Sequence, residues 1–174
     1  HQVAVEQVAG ADPESPLRDD VEVERFGIAP TARIRIDERT QLDLYGEHFE
    51  DERTVDRGVP SENGRPWNGP VRTYFGNPDL SNSDIRVSTA RAILTRELSP
   101  NWSFRGALSY GDYDKFYQNV YPGGPVDTAN QTVRISSYNS STTRQNLLAQ
   151  ADFVYEGAFG GLEHTVLIGV EAGR

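Results

Sequence analysis

The 174-residue chain contains no cysteine and no methionine. Without cysteine it can form neither a disulfide framework nor a thiolate metal site. Because the chain begins at His1 and has no methionine, we expect a processed or excised piece of a longer protein. Its net charge of −9 argues against nucleic acid or anionic lipid headgroups as the main partner, since both attract an excess of lysine and arginine.

Long hydrophobic runs are missing as well. No apolar run approaches the ~18–20 residues of a membrane helix, and no signal peptide opens the chain. Hydrophobic residues make up 36% of the chain and its mean hydropathy is −0.60, both low for a packed soluble domain. This composition fits either partial disorder or strands that are apolar on one face only and are joined by long polar loops.

One stretch, Trp102–Tyr117, shows the pattern of a long one-sided strand. Its even positions from Trp102 to Tyr110 are aromatic, aliphatic or glycine, whereas its odd positions are polar or small. Alternation with a period of two predicts a strand with one apolar face. The stretch is longer than the ~5–6 residues of a usual globular strand and reaches the ~9–11 residues that a tilted strand needs to cross a bilayer.

The same alternation recurs along the chain. It predicts further strands at residues 2–8, 21–36, 41–49, 85–98, 133–138, 144–156 and 164–171. The apolar residues of 85–98 also fit one face of a helix, and we prefer a strand because the neighbouring segments are strands and the following turn is short. Pro30 removes a ladder donor, which predicts a sheet edge or a bulge at that position.

The predicted connections fall into two classes. Short turns are expected near 37–40, 98–101 and 157–161, and long irregular connections near 9–20, 49–84 and 118–143. Successive turns of an antiparallel meander emerge at opposite ends, so all the short ones share one end, as in outer-membrane barrels. The sequence therefore predicts an all-β, antiparallel up-and-down meander that is part of a transmembrane β-barrel. The alternative is a soluble or secreted β-sandwich that binds a ligand with its loops.

Several motifs resemble the barrel of TonB-dependent siderophore receptors. They occur in the family's order over most of the chain from about Asp20. Each motif is loose by itself, but together they are fairly specific. The matching segments are His48–Ser61, Asn63–Pro66, Tyr74–Asp79, Tyr113–Pro122, Tyr138–Asn139, Arg144–Leu147, His164–Thr165 and Gly169–Glu171.

The resemblance implies a receptor in the outer membrane of a Gram-negative bacterium. In this family a barrel of about 22 strands encloses an N-terminal plug that binds a ferric chelate and is energised through TonB. The implied partners are a ferric siderophore, outer-membrane lipid and TonB, and the implied activity is binding and gated passage without catalysis. About seven or eight strands without a plug cannot close such a barrel. We therefore interpret residues 1–174 as an incomplete barrel domain whose edges, 1–8 and 164–171, are unpaired.

Basic and aromatic side chains gather in the two longest predicted connections. Arginine forks and aromatic faces suit anionic, aromatic iron chelates. The candidate ligand-binding residues are Arg53, Arg57, Arg65, Trp67 and Tyr74 in the first connection, with Tyr113, Tyr117 and Tyr121 in or beside the second. Acidic residues (Asp51, Glu52, Asp56 and Glu62) balance the arginines. Ion pairing that orders the loop is therefore the alternative role, and the charge balance favours it.

No catalytic, metal or cofactor site is predicted. His1, His48 and His164 are scattered without the spacing of metal ligands. The acidic runs at 19–24 and 112–114 lack the spacing of a calcium loop. A hydrolase is the weakest interpretation, because it needs two carboxylates that converge at ~5–10 Å in a cleft.

Overall fold

A computed structural model of the chain describes the backbone of residues 2–9 and all atoms of residues 20–174. Its strands are β1 (Gln2–Ala9), β2 (Val23–Arg35), β3 (Thr40–Thr54), β4 (Ser61–Glu62), β5 (Arg65–Pro66), β6 (Asn82–Ser99), β7 (Trp102–Asp127), β8 (Thr132–Phe159) and β9 (Leu162–Gly173). The strand predicted at 85–98 is thus confirmed. A short 3-10 turn covers Pro78–Leu80. Within the described residues, no helix is long and apolar enough to cross a membrane.

Seven strands form one antiparallel sheet in the order β1-β2-β3-β6-β7-β8-β9. Apart from the small β4–β5 hairpin, which stands outside this sheet, every strand pairs with its neighbour in the chain. The predicted up-and-down meander is therefore confirmed. Within the described residues β1 and β9 do not pair with each other, so the sheet is open and these two strands are its edges.

The register collects apolar side chains on one face of the sheet. Trp102 lies opposite Tyr155 and Phe104 opposite Phe153, and the ring centroids in each pair are 5.1 Å apart. The paired positions that continue this face form what we call the apolar band: Ile28, Pro30, Ala32, Ile34, Leu42, Leu44, Ala90, Ala92, Leu94, Leu108, Tyr110, Ala149, Ala151, Val166, Ile168 and Val170.

The apolar band is not covered by any other part of the described structure. Leu108 is 52% exposed and Val170 is 71% exposed. Within residues 20–174 only two apolar side chains, those of Val55 and Pro60, are buried, and neither belongs to the band. A β-sandwich would bury such a face against a second sheet. The sandwich alternative is therefore not favoured, and the arrangement fits a barrel wall that turns its apolar side towards lipid.

The opposite face of the sheet is polar and carries ion pairs. Nε of Arg33 donates to Oδ1 of Asp43 at 2.6 Å, and Nη1 of Arg105 lies 3.7 Å from Oδ2 of Asp152. Both aspartates are buried beneath their arginine partners, as buried carboxylates must be paired to be tolerated. One side of the sheet is thus apolar, and the other carries charged residues that include these two ion pairs.

The predicted short turns are confirmed and lie at one end of the sheet, which we call the turn end. They comprise residues 36–39, 100–101 and 160–161. In the first, Asp37 accepts hydrogen bonds from the N–H of Arg39 and the hydroxyl of Thr40. In the last, Gly160 and Gly161 have φ of 61° and 80°, which a two-residue hairpin loop requires. The long connection at 55–81 lies at the other end of the sheet, which we call the loop end. Of the predicted loop at 9–20, residues 10–19 lie outside the described residues.

The second long loop, predicted at 118–143, is wrong. β7 continues to Asp127 and β8 begins at Thr132, so only a four-residue turn separates them, and the polar tip predicted at 139–143 is part of β8. Glycine, proline and polar residues are scattered over both faces of this hairpin, and a register shift between Pro122 and Val126 interrupts the alternation. The period-two signal is therefore lost although the strands continue. The loop predicted at 49–84 likewise shortens to 55–81.

The prediction that Pro30 marks an edge or a bulge is also wrong. β2 has neighbours on both sides, and its register with β3 is the same at Ile28–His48 and at Thr31–Tyr45. Residues 29 and 30 drop out of the pairing with β3 without shifting it. The ring of Pro30 lies over Gly46, where an added Cβ would be 3.4 Å from Pro30 Cγ. The missing donor is thus accommodated locally, opposite a residue without a side chain.

Candidate ligand-binding site

The β7–β8 hairpin projects past the end of β6 and presents three tyrosines on one face. Tyr117 and Tyr121 are four residues apart on β7, so their side chains point the same way. Tyr138 of β8 lies opposite Asn119, between them. The ring of Tyr138 stacks on Tyr117 with centroids 5.4 Å apart and meets Tyr121 edge-on at 5.9 Å. The three phenols therefore form one continuous aromatic surface.

Arg57 of the 55–81 connection lies on this surface. Its Nη1 is 3.1 Å from the hydroxyl of Tyr138, and its guanidinium carbon is 5.0 Å from the ring centroid of Tyr121. Hydrogen bonding with the hydroxyl of Tyr117 raises the pKa of Arg57. Burial raises the pKa of Tyr117, which opposes the lowering by the nearby guanidinium. We call Arg57, Tyr117, Tyr121 and Tyr138 the Arg57–tyrosine cluster, and it lies beyond the loop end of the apolar band.

The cluster is chemically one-sided. A guanidinium has five N–H donors and no acceptor, and each phenol adds an O–H donor. None of its four members is a carboxylate. A ligand that supplies oxygen acceptors, and above all an anionic one, therefore complements this arrangement.

The main chain of Val55 anchors the connection that carries Arg57. Its N–H donates to the carbonyl of Ser81 at 2.8 Å. Its carbonyl accepts from the hydroxyl of Tyr74 at 2.7 Å and from Nδ2 of Asn119 at 3.2 Å. Asn119 is fully buried, and its Oδ1 has no hydrogen-bond partner among residues 20–174. Both ends of the connection are thus tied together beside β7.

The last residues of the connection cover the edge of β7 where β6 has ended. The N–H of Val120 donates to Oγ of Ser81 at 3.0 Å, and Oγ donates to the carbonyl of Asn77 at 2.7 Å. Gly76 has φ of 138°, and a Cβ there would lie 1.9 Å from the carbonyl oxygen of Val120. Only glycine permits this approach, so residues 76–81 follow the projecting strand closely.

Trp67 lies in a separate cleft at the tip of the hairpin. Its ring meets Phe75 edge-on with centroids 4.9 Å apart. The cleft has a volume of about 320 Å³, and Val126, Val133 and Glu62 also line it. It offers an aromatic and aliphatic surface next to a carboxylate, distinct in character from the Arg57–tyrosine cluster.

Three of the predicted ligand residues, described in turn below, lie outside the Arg57–tyrosine cluster. Arg53 donates from Nε to Oδ1 of the buried Asp51 at 2.6 Å, and Arg25 binds the same carboxylate. Arg65 is exposed on β5, in register with Glu62. The ring of Tyr113 folds back over Gly111, where a Cβ would be 2.7 Å from it. For Arg53 the structure thus displays the ion pairing that the charge balance suggested.

The structure brings together some predicted residues and adds two that the sequence did not single out. Arg57, Tyr117 and Tyr121 meet, and Tyr74 supports them through Val55. Tyr138 and Asn119 were missed. Finding Tyr138 requires the β7–β8 register, which a strand pattern broken by polar residues does not reveal. The alternation of Tyr117, Asn119 and Tyr121 is the one signal that pointed to Asn119.

The histidines and acidic groups form no metal centre in residues 20–174. No three His, Asp or Glu side chains of this range are placed so that they could hold an ion. Nδ1 of His48 lies 2.9 Å from Oγ of Ser88, and Nε2 of His164 lies 3.3 Å from the carbonyl of Phe159. His1 lies outside the described residues.

Solved structures with the same arrangement are receptor barrels. The ferric-catecholate import receptor Fiu of E. coli in its open form matches with a TM-score of 0.71 and 20% identity over 90% of this chain and 27% of that one. The siderophore receptor PiuA of Acinetobacter baumannii matches with a TM-score of 0.73 and 21% identity over 98% of this chain and 25% of that one. The fold is thus that of part of a siderophore-receptor barrel.

Curated relatives point to the same class of protein. The metal-pseudopaline receptor CntO of Pseudomonas aeruginosa is 24% identical over 160 residues, which is 91% of this chain. The ferrioxamine B receptor of Salmonella typhimurium is 27% identical over 164 residues, or 90% of this chain. The chain spans 22% of the length of either relative. No protein-family model matches. The resemblance to TonB-dependent siderophore receptors predicted from the motifs is confirmed.

Proposed function

We propose that the chain forms part of the wall of an outer-membrane receptor for TonB-dependent uptake of ferric siderophores. The observation that carries this proposal is the uncovered apolar band on one face of an open antiparallel meander. Such a face is stable only against lipid or a further apolar surface. The similarity to named siderophore and metal-chelate receptors supports the same class.

In this function the two faces have different partners. The apolar band contacts outer-membrane lipid. The polar face, with its Arg33–Asp43 and Arg105–Asp152 pairs, lines the lumen and faces the plug through which TonB acts. The activity is binding and gated passage, with no catalytic step.

The ligand site of this function lies at the loop end, which faces the cell exterior. The Arg57–tyrosine cluster supplies donors for the anionic oxygens of a ferric chelate, and the rings supply flat apolar contacts. The cleft beside Trp67 adds a second aromatic surface at the hairpin tip. Arg53 acts structurally through Asp51, and Arg65 and Tyr113 take more peripheral positions.

Expression of the full-length protein in a Gram-negative strain without siderophore receptors of its own tests this function. We expect the protein in the outer-membrane fraction, and uptake of radiolabelled iron from ferrioxamine B or from a ferric catecholate only when TonB is present. A protein recovered in the soluble fraction would favour the sandwich instead. Equal uptake with and without TonB would exclude the proposed mechanism.

A further inference from the structure

One buried side chain of β7 connects the loop to the tyrosines. Asn119 is fully buried, and its Nδ2 donates to the carbonyl of Val55 at 3.2 Å. On its own strand it lies between Tyr117 and Tyr121. Asn119 therefore stands at the centre of the aromatic surface while it holds the main chain two residues before Arg57.

Stability does not explain an asparagine at this position. The carbonyl of Val55 also accepts from the hydroxyl of Tyr74 at 2.7 Å, so it keeps a partner without Asn119. Oδ1 of Asn119 is buried without any partner, which is destabilising. An apolar side chain of the same size would fill the space without that penalty. We therefore attribute the asparagine at this position to the place in which its amide holds the 55–81 connection through the carbonyl of Val55.

The position of the bond determines where Arg57 can lie. Two extended residues span at most about 7 Å, so fixing Val55 against β7 restricts Arg57 to the neighbourhood of the hairpin. There its guanidinium meets the ring of Tyr121 and the hydroxyl of Tyr138. Of the bonds that hold Val55, the one from Asn119 is the one made by a side chain of the aromatic surface itself, so it sets the distance of the exposed Arg57 from the tyrosines.

We propose that Asn119 is a positioning residue of the ligand site, which holds Arg57 on the tyrosines through the carbonyl of Val55. The proposal rests on the function proposed above only in that the Arg57–tyrosine cluster is the ligand site. Asn119 itself contacts no ligand. Its role is to order the guanidinium before the ligand arrives, so that binding does not have to order it.

The placement of Arg57 can be measured without any ligand. A 3-fluorotyrosine introduced at position 138 of the full-length protein reports the guanidinium through its fluorine chemical shift, and Arg57→Ala defines the shift with that group absent. We expect Asn119→Leu to move the shift to the Arg57→Ala value, and the double variant to move it no further. Asn119→Ala removes the same donor without adding volume and serves if the leucine variant does not assemble.

Two controls separate positioning from general loosening of the structure. Asn101→Leu removes an amide that donates to the carbonyl of Glu156 at the turn end, and the shift should stay at its wild-type value. Tyr74→Phe removes the other donor to Val55 but keeps its ring. If Tyr74→Phe moves the shift and the Asn119 variants do not, Tyr74 positions the loop and the proposal is overturned. An unchanged shift in both Asn119 variants overturns it as well.

Binding of ferrioxamine B and of ferric 2,3-dihydroxybenzoate then connects placement with function. We expect Asn119→Leu and Arg57→Ala each to weaken binding about tenfold, and the double variant also about tenfold rather than about a hundredfold, because both changes remove one interaction. Additive losses would overturn the proposal. If neither probe binds the wild-type protein, the ligand assignment of the proposed function fails, and the fluorine shift alone decides the role of Asn119.

Discussion

An arginine on the apolar band should damage assembly far more than one placed a single residue away. Leu94 belongs to the band and lies opposite Gly106 of β7 and Leu42 of β3. Ile93 points to the other face and lies opposite Asp43. The pair Leu94→Arg and Ile93→Arg therefore compares the same change on the two faces of one strand.

The magnitude follows from the depth of Leu94 in the band. Gly106, its partner, is four residues from both Trp102 and Tyr110, or about 14 Å along the strand in each direction. In the proposed function Trp102 and Tyr110 mark the two boundaries of the apolar band. An arginine side chain at position 94 is too short to reach either of them, so the loss in folding free energy is that of an arginine at the bilayer midplane, about 2–4 kcal/mol. This corresponds to a factor of roughly 30 to 900 in the folding equilibrium. At position 93 the new guanidinium would lie opposite Asp43 on the polar face, and we expect the folding free energy to change by no more than about 1 kcal/mol.

The assay is urea-dependent unfolding of the full-length protein in lipid vesicles, with heat-modifiable gel mobility as the measure of the folded fraction. Leu94→Arg should lower the midpoint strongly or prevent assembly, whereas Ile93→Arg should assemble. Equal effects of the two substitutions would show that both faces of the sheet are in the same environment, which would refute the assignment of one face to lipid and the other to water. A larger effect at position 93 would mean that the polar face is the one in contact with lipid.

Three further predictions concern the loop end. Arg57→Ala should weaken binding of a ferric chelate about tenfold through the loss of a charge-assisted contact, whereas Arg39→Ala, an equal change of charge at the turn end, should leave the dissociation constant within about threefold. Asp51→Ala should lower the free energy of unfolding, measured by thermal unfolding, by about 1–3 kcal/mol; the loss is smaller than for a fully buried pair because the two arginines are partly exposed and the solvent screens them. An unchanged unfolding temperature would mean that water replaces the carboxylate. Hydrogen bonds from Asn130 and the main chain hold the pKa of Asp127 below its usual value of about 4. The turn at 128–131 should therefore be ordered above about pH 4 and loosen as the pH falls below it, which amide exchange at Asn130 would show, and Asp127→Asn should remove this pH dependence.

The strands that carry the apolar band could be predicted from the sequence because apolar side chains occupy only one of their faces. Leu42 and Leu44 alternate with Gln41 and Asp43, and this pattern requires no tertiary information. The β7–β8 hairpin beyond the band could not be predicted in the same way. Exposed polar side chains such as Ser137 and Thr142 lie on opposite faces of this strand, so its length is set by pairing with β7 and leaves no periodic trace.

The candidate site was predictable in composition but not in arrangement. Arginine and tyrosine in one region indicated the chemistry, and Arg57 and Tyr121 indeed meet. Their contact depends on two segments more than sixty residues apart, which only the sheet register brings together. Tyr138 and Asn119 are opposite each other in that register. A sequence without the register cannot show which of several tyrosines shares a face with the loop.

Residues 76–81 take the place of a missing strand along the projecting edge of β7, and this divides the connection into two parts with different freedom. The second part is tied to β7 through Ser81 and Gly76 at a distance that admits no side chain. The first part contains the β4–β5 turn at Asn63 and Gly64, where a Cβ added at Gly64 would have no atom of residues 20–174 within 4 Å. In the proposed receptor, residues inserted at that turn should therefore reshape the loop end, and with it the range of chelates admitted, while the contact of Arg57 with the tyrosines is kept.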